Sequence, residues 1–280
     1  MTSTINLKRL GFALAVAAIA TLVATGCGDE ISPTRMPAYV PDGKVVVLMH
    51  DAPVDSLQEV WLTVNSIRFI GEGGGNLTTV LDEPMRLNFL DLDSVSAVMG
   101  ATTVEVESFS KIRLEVSDPE FLDKDGNVVA ASDIKLVANG KIDLNFQGPV
   151  TVESGDLTVV SIDLDLDNSI KVNKTGKGKY ILHPQFKVDA VIDTNTTTTI
   201  PIEILDATII RVNATLGTID LELPGSPAIL VVYTNEFTTF EDAGGAPIQL
   251  TDLIPASQVR VFGHYDPVAG NFVATKVQSL

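Results

Sequence analysis

Glu59-Val-Trp-Leu-Thr-Val-Asn65 is the stretch whose reading decides the fold class. Val60, Leu62 and Val64 fall on one face and Trp61 alternates away from them, the period-2 pattern of a strand with one buried side. The phase flips at Ser66, because Ile67 and Phe69 fall on the other face, and a bulge or a twist would restore it. Gly71-Glu-Gly-Gly-Gly75 follows as a turn. Working outward, Lys44-Val-Val-Val-Leu-Met-His50 reads as a first strand. Further strands are predicted at residues 85–90, 111–116, 134–137, 142–146, 150–153, 157–167 and 180–192. Each is rich in Val, Ile, Leu or Thr and is closed by Gly, Asn, Asp or Pro, which is the pattern of an all-β chain. Asp91-Leu-Asp-Ser-Val-Ser-Ala-Val-Met-Gly100 is the best helix candidate, with Asp93 or Ser94 as its cap and Gly100 as its stop.

Composition changes at Asp193-Thr-Asn-Thr-Thr-Thr-Thr199, a threonine run with no apolar partner that reads as a linker. Strand-like runs resume at residues 207–212, 218–223, 228–233, 258–263 and 272–278, and five strands over so short a span suit a small barrel. The expected organisation is a β-sandwich domain at residues 44–192, a linker at 193–202 and a small β-barrel at 203–280. Residues 27–43, with three prolines and no period, read as a tether.

The N-terminus carries Lys8 and Arg9, then an apolar run from Gly11 to Val23, then Ala24, Thr25, Gly26 and Cys27, the single cysteine. That order is a secretory signal, too short to span a bilayer comfortably. It resembles a bacterial lipoprotein signal, which implies removal of residues 1–26 and lipidation of Cys27. Gly28 in place of Asp implies, by resemblance to Gram-negative lipoproteins, the outer membrane. Loss of Lys8 and Arg9 would move the formal charge from -17 to -19. So acidic a chain is repelled by nucleic acid, whose affinity comes from Lys and Arg neutralising phosphates. Anionic lipid repels it too, so membrane attachment needs acyl chains, at roughly 0.8 kcal/mol per buried methylene. One cysteine forms no internal disulfide, so the fold rests on burial, for which 45% hydrophobic content is ordinary.

Asp51-Ala-Pro-Val-Asp55 followed by an alternating strand resembles the opening of an uncharacterised family of bacterial lipoprotein domains. The likeness continues at Lys111-Ile-Arg-Leu-Glu-Val116, at Asp163-Leu-Asp165 ahead of Ser169-Ile170, and at Gly178-Lys-Tyr-Ile-Leu-His-Pro184, over residues 44 to about 190. It implies an antiparallel β-sandwich of transthyretin (prealbumin) type with no assigned activity. His50 stands where the family usually has a small polar residue. The C-terminal part resembles a second uncharacterised module, a small β-barrel, through Thr238-Thr-Phe-Glu-Asp242, residues 253–263 and Asn271-Phe-Val-Ala-Thr-Lys-Val277. That family's usual Gly-Asp before the Val-x-Val strand reads Ala256-Ser257 here. Neither resemblance carries catalytic residues.

Asp163, Asp165 and Asp167 alternate with Ile162, Leu164 and Leu166. On a strand, alternate residues share a face ~6.6 Å apart, so three carboxylates would line one side. One reading is a calcium site completed by Asp51, Asp55, Asp91 or Asp93, since calcium takes six to eight oxygen ligands; the other is a solvated strand face. Asp123-Lys-Asp-Gly-Asn127 departs from an EF-hand loop, with Val128 and Ile134 where glycine and an acid belong, and reads as a hairpin turn. His50, His183 and His264 lack metal-ligand spacing. His50 beside Asp51 is a candidate general base that reads more simply as a strand end. No nucleophile elbow or zinc-protease motif occurs.

Two function classes follow, with a calcium-stabilised surface adhesion module as a further alternative. The first is a non-catalytic binding or structural module on a lipid anchor, contacting an envelope protein, a polysaccharide or a cation such as calcium, with no cofactor. The second is a hydrolase or carbohydrate-active enzyme built on carboxylates roughly 5–10 Å apart in a cleft.

Overall fold

The computed structural model describes residues 42–51, 57–74, 76–105, 107–172, 180–192 and 198–280. In chain order the strands are β1 (Gly43–Asp51), β2 (Leu57–Gly71), β3 (Leu77–Leu81), β4 (Met85–Asn88), β5 (Ser96–Val104), β6 (Glu107–Asp123) and β7 (Val128–Val129). There follow β8 (Ile134–Leu136), β9 (Lys141–Val152), β10 (Leu157–Leu164), β11 (Ile170–Val172), β12 (Tyr180–Leu182) and β13 (Phe186–Ile192). The last are β14 (Ile200–Asn213), β15 (Thr218–Glu222), β16 (Ile229–Tyr233), β17 (Thr239–Glu241), β18 (Gln258–Asp266) and β19 (Asn271–Ser279). The protein is all-β. Among the described residues the one α-helical turn is α1 (Leu166–Ser169), and no helix is long and apolar enough to cross a membrane.

The deciding stretch behaves as its alternation requires. Val60, Leu62 and Val64 are buried in β2, and the ladder to β6 shifts register between Val64 and Ser66, the bulge that the flipped phase demands. Ile67 and Phe69 are thereby brought back to the core. Glu72–Gly74 forms the turn after β2, with Gly73 at φ 79°. Strands β2, β3, β4, β6, β7 and β9 make a six-stranded sheet. It packs against a sheet containing β1, β5 and β10 through Phe69, Phe89, Phe109, Phe121, Met49 and Ile162, all nearly inaccessible to solvent. At about 1.5–3 kcal/mol per fully buried large side chain, such burial is the term that holds the fold.

Several strand limits differ from the sequence reading. Residues 91–100 form no α-helix. Asn88 caps a single 3-10 turn at Phe89–Leu92, and the chain then enters β5. The reason is tertiary: β5 lies between β1 and β14, buried on both faces, and a Cβ on Gly100 would sit 2.5 Å from the Val80 carbonyl oxygen. Residues 180–192 form two strands in different sheets, interrupted around Pro184, which has no N–H for a ladder. The strands expected at 142–146 and 150–153 are one strand, β9, which ends at Val152 and whose pairing with β6 is broken opposite Phe109 and Lys111. The sandwich is not wholly antiparallel, for β1 and β10 run parallel from Lys44↔Leu157 to Asp51↔Leu164. The long intervening chain supplies the crossover that a parallel pair requires.

The C-terminal strands close a ring. β14 pairs with β15, β15 with β16, β16 with β19, β19 with β18, and β18 returns to β14. A ring of this kind removes its own sheet edges, as a small barrel must. Residues 200–202 of the expected linker belong to β14, and β14 shares one sheet with the N-terminal strands, because β5 and β14 are parallel neighbours at Ser96↔Ile202 and Ala97↔Glu203.

Candidate functional site

Of the carboxylates singled out in the sequence, Asp51 and Asp163 lie at the adjacent ends of β1 and β10, with Asp165 just beyond. Register places His50 beside Asp163 and Asp163 beside Lys187 of β13, so an imidazole, a carboxylate and an ammonium lie in a row across three strands. His50 Nδ1 lies 3.6 Å from Asp163 Oδ1. Asp51 is 2% exposed and shares the face of Met49, pointing into the space between the sheets. This is where the Asp51-Ala-Pro-Val-Asp55 segment begins; Asp55 lies outside the described residues.

Asp163, Asp165 and Asp167 do not line one strand. β10 ends at Leu164, and Asp165 instead caps α1, accepting from the Asn168 backbone N–H at 3.1 Å and from its side-chain amide. Lys187 Nζ donates to Asp165 Oδ2 at 2.6 Å. That bond first, and the Asn168 bonds second, hold the Asp165 carboxyl below the ordinary aspartate value. Leu166 is driven into the core with no exposure, which turns the chain off the strand path and leaves Asp167 exposed on the helical turn. Ser169 fixes the turn by donating to the Asp165 carbonyl and accepting from Gln185 N at 2.8 Å. The aspartate spacing reads as a strand only if local alternation is allowed to outrank Asp165's capping propensity.

Asp165, Asn168, Lys171, His183, Gln185 and Lys187 line an open hollow of about 570 Å³ beside this turn. His183 and Gln185 side chains contact each other through Nδ1 and Nε2. Sequence reasoning missed Lys171, Gln185 and Lys187. Their proximity depends on the β10–β13 pairing and on the path through β11 and β12, for which single residues carry no signal. Chemically, the hollow offers amide, ammonium, imidazole and carboxylate groups on one surface, suited to a polar ligand with both donors and acceptors. Ser169, the hydroxyl of the turn, is engaged in structure.

Of the other cation candidates, Asp91 and Asp93 are exposed at the 3-10 turn after β4. Among the described residues no group of three or more His, Cys, Asp or Glu side chains is placed to hold a metal. Asp123-Lys-Asp-Gly-Asn127 is a hairpin turn, as expected. Asp123 Oδ1 accepts from the Asp125 and Asn127 backbone N–H groups, and Gly126 sits at φ 79° between β6 and β7. Trp61 is half-buried, donates to Glu59 Oε2 at 2.7 Å, and is overlain by the Arg86 guanidinium at 5.6 Å. Cys27 lies outside the described residues.

Residues 42–184 match the family described as a domain of unknown function (DUF4382), over the region read above as resembling an uncharacterised domain family. The match covers half of the chain, and the chain belongs to this family. No curated protein and no solved structure matches it.

Proposed function

We propose that this chain is a lipid-anchored protein of the cell envelope whose strand-built body acts as a non-catalytic binding or structural module. The basic–apolar–small order ending at Cys27 supports the anchor. One observation supports the non-catalytic reading: three carboxylates, those of Asp143, Asp165 and Asp220, are committed to turns and ion pairs. Asp143 accepts from Arg113 at 2.6 and 2.8 Å, Asp220 is held by Arg211 at 2.7 and 2.9 Å, and Asp165 is held by Lys187 and Asn168. The Arg113 bonds on Asp143 and the Lys187 bond on Asp165 hold those two carboxyls below the ordinary aspartate value, and a carboxylate held charged in this way is a poor general acid. The hollow beside α1 is the surface on which a polar envelope ligand would sit.

Replacing Cys27 tests the anchor. In the parent organism the full chain should take up labelled palmitate and sediment with outer membranes, and Cys27→Ala should appear unlabelled in the soluble fraction. A Cys27→Ala chain that still sediments with membranes would sink the reading.

A further inference from the structure

The family match ends at residue 184, before the strands of the ring begin at Ile200. β1, β5 and β10 lie within the match, and their two faces are covered by different things. Val45, Val47, Met49, Val160 and Ile162 pack against the six-stranded sheet. Val46, Leu48, Val98, Ala101 and Val159 point the other way and share a core with Ile202, Ile204, Leu230 and Phe272. All five are 0–1% exposed. Without residues 200–280 they would form an open apolar patch across the middle of a sheet, which soluble domains avoid.

Directional contacts set the fit. Ser226 Oγ accepts from Ala101 N at 2.8 Å and donates to the Ala101 carbonyl at 2.6 Å, and Ala228 N donates to the same carbonyl at 3.2 Å. Asp82 N donates to the Gly225 carbonyl at 3.2 Å, and Lys44 Nζ to the Ile229 carbonyl at 2.9 Å. β5 and β14 add a short parallel ladder.

We propose that the second face of the β10–β1–β5 sheet is a docking face of the family domain, and that its occupant here is the chain's own segment 200–280. Apolar packing and the Ser226 clasp hold that segment, and the connecting residues only raise its local concentration. The envelope reading is independent of this claim, since it rests on Cys27.

The test is to place a specific protease site within residues 194–198 of the full chain and cut it under native conditions. The two pieces should co-elute at the size of the uncut protein and unfold in one transition, whose midpoint now rises with protein concentration. In the cut protein Ser226→Ala should weaken association by about tenfold, the loss of one partner for a buried backbone group. Val128→Ala, on an exposed side chain far from the face, should leave it unchanged. Pieces that come apart natively, whether they stay soluble or precipitate, would overturn the proposal. So would two separate unfolding transitions in the cut protein.

Discussion

At the scale of single residues, Ala256 shows the cost of a turn made without glycine. It occupies the left-handed region at φ 68°, where its N–H donates to the Ile209 carbonyl at 2.7 Å. A turn thus forms before the Val259-Arg-Val261 strand with Ala256-Ser257 in place of Gly-Asp, and its alanine adopts a conformation that costs an L-residue roughly 1–2 kcal/mol. Ala256→Gly should stabilise the protein by about 0.5–1 kcal/mol, the strain relieved less glycine's extra unfolded-state entropy, as read from urea unfolding. Carboxylates set the pH response. The Arg113 hydrogen bond holds Asp143 below its ordinary value, as the Lys187 bond does Asp165. The stability they add is present above about pH 3.9 and is lost as pH falls through their lowered folded values. Glu203 shifts the other way: burial raises it, against the pull of Arg260 at 3.5 Å. Its contribution is complete below about pH 4.3 and is lost as pH rises through its raised folded value. Melting temperature against pH should show both limbs. Glu203→Gln should flatten the upper limb and leave the acid one; loss of the acid limb in that variant would refute the assignment. The Asp123 turn was legible from Asp-Gly-Asn alone. The Asp165 cap was not, because its partner Lys187 arrives through strand pairing.

At the scale of elements, the contrast between β1 and β2 separates what local pattern can state from what it cannot. β2 alternates, and its bulge at Ser66 follows from the flipped phase of its own residues. β1 is an unbroken apolar run, Val45-Val-Val-Leu-Met49, and each of these side chains is fully buried. Such a run identifies a strand; its double burial becomes visible only when both neighbouring layers are in place. Leu48→Ala should therefore cost about 2–5 kcal/mol, as for any core leucine. Leu77→Ala, on a β3 side chain that is 59% exposed, should stay within about 0.5 kcal/mol. Chemical denaturation of both variants checks the contrast, and equal effects would contradict the burial described here. β5 marks the opposite limit. Its residues carry a helix-like start and stop, yet they lie between β1 and β14 in the middle of a sheet, where ladder bonding and burial outweigh local propensity.

At the scale of the whole molecule, composition and pattern determined the all-β class, most strand positions and the Thr-rich change of composition before β14. The basic–apolar–small order before Cys27 is read in the same way, because such properties live in side-chain type and in period along the chain. Tertiary structure alone decided that β1 and β10 run parallel, that α1 interrupts the row of aspartates, and that Lys187 and His50 flank Asp163. It also decided that the closed ring and the sandwich share a sheet and an apolar core. The physical reason is range. Alternation and capping act over a few residues, whereas strand order and the covering of a sheet's second face are settled by apolar surfaces from Val46 to Phe272 finding one another.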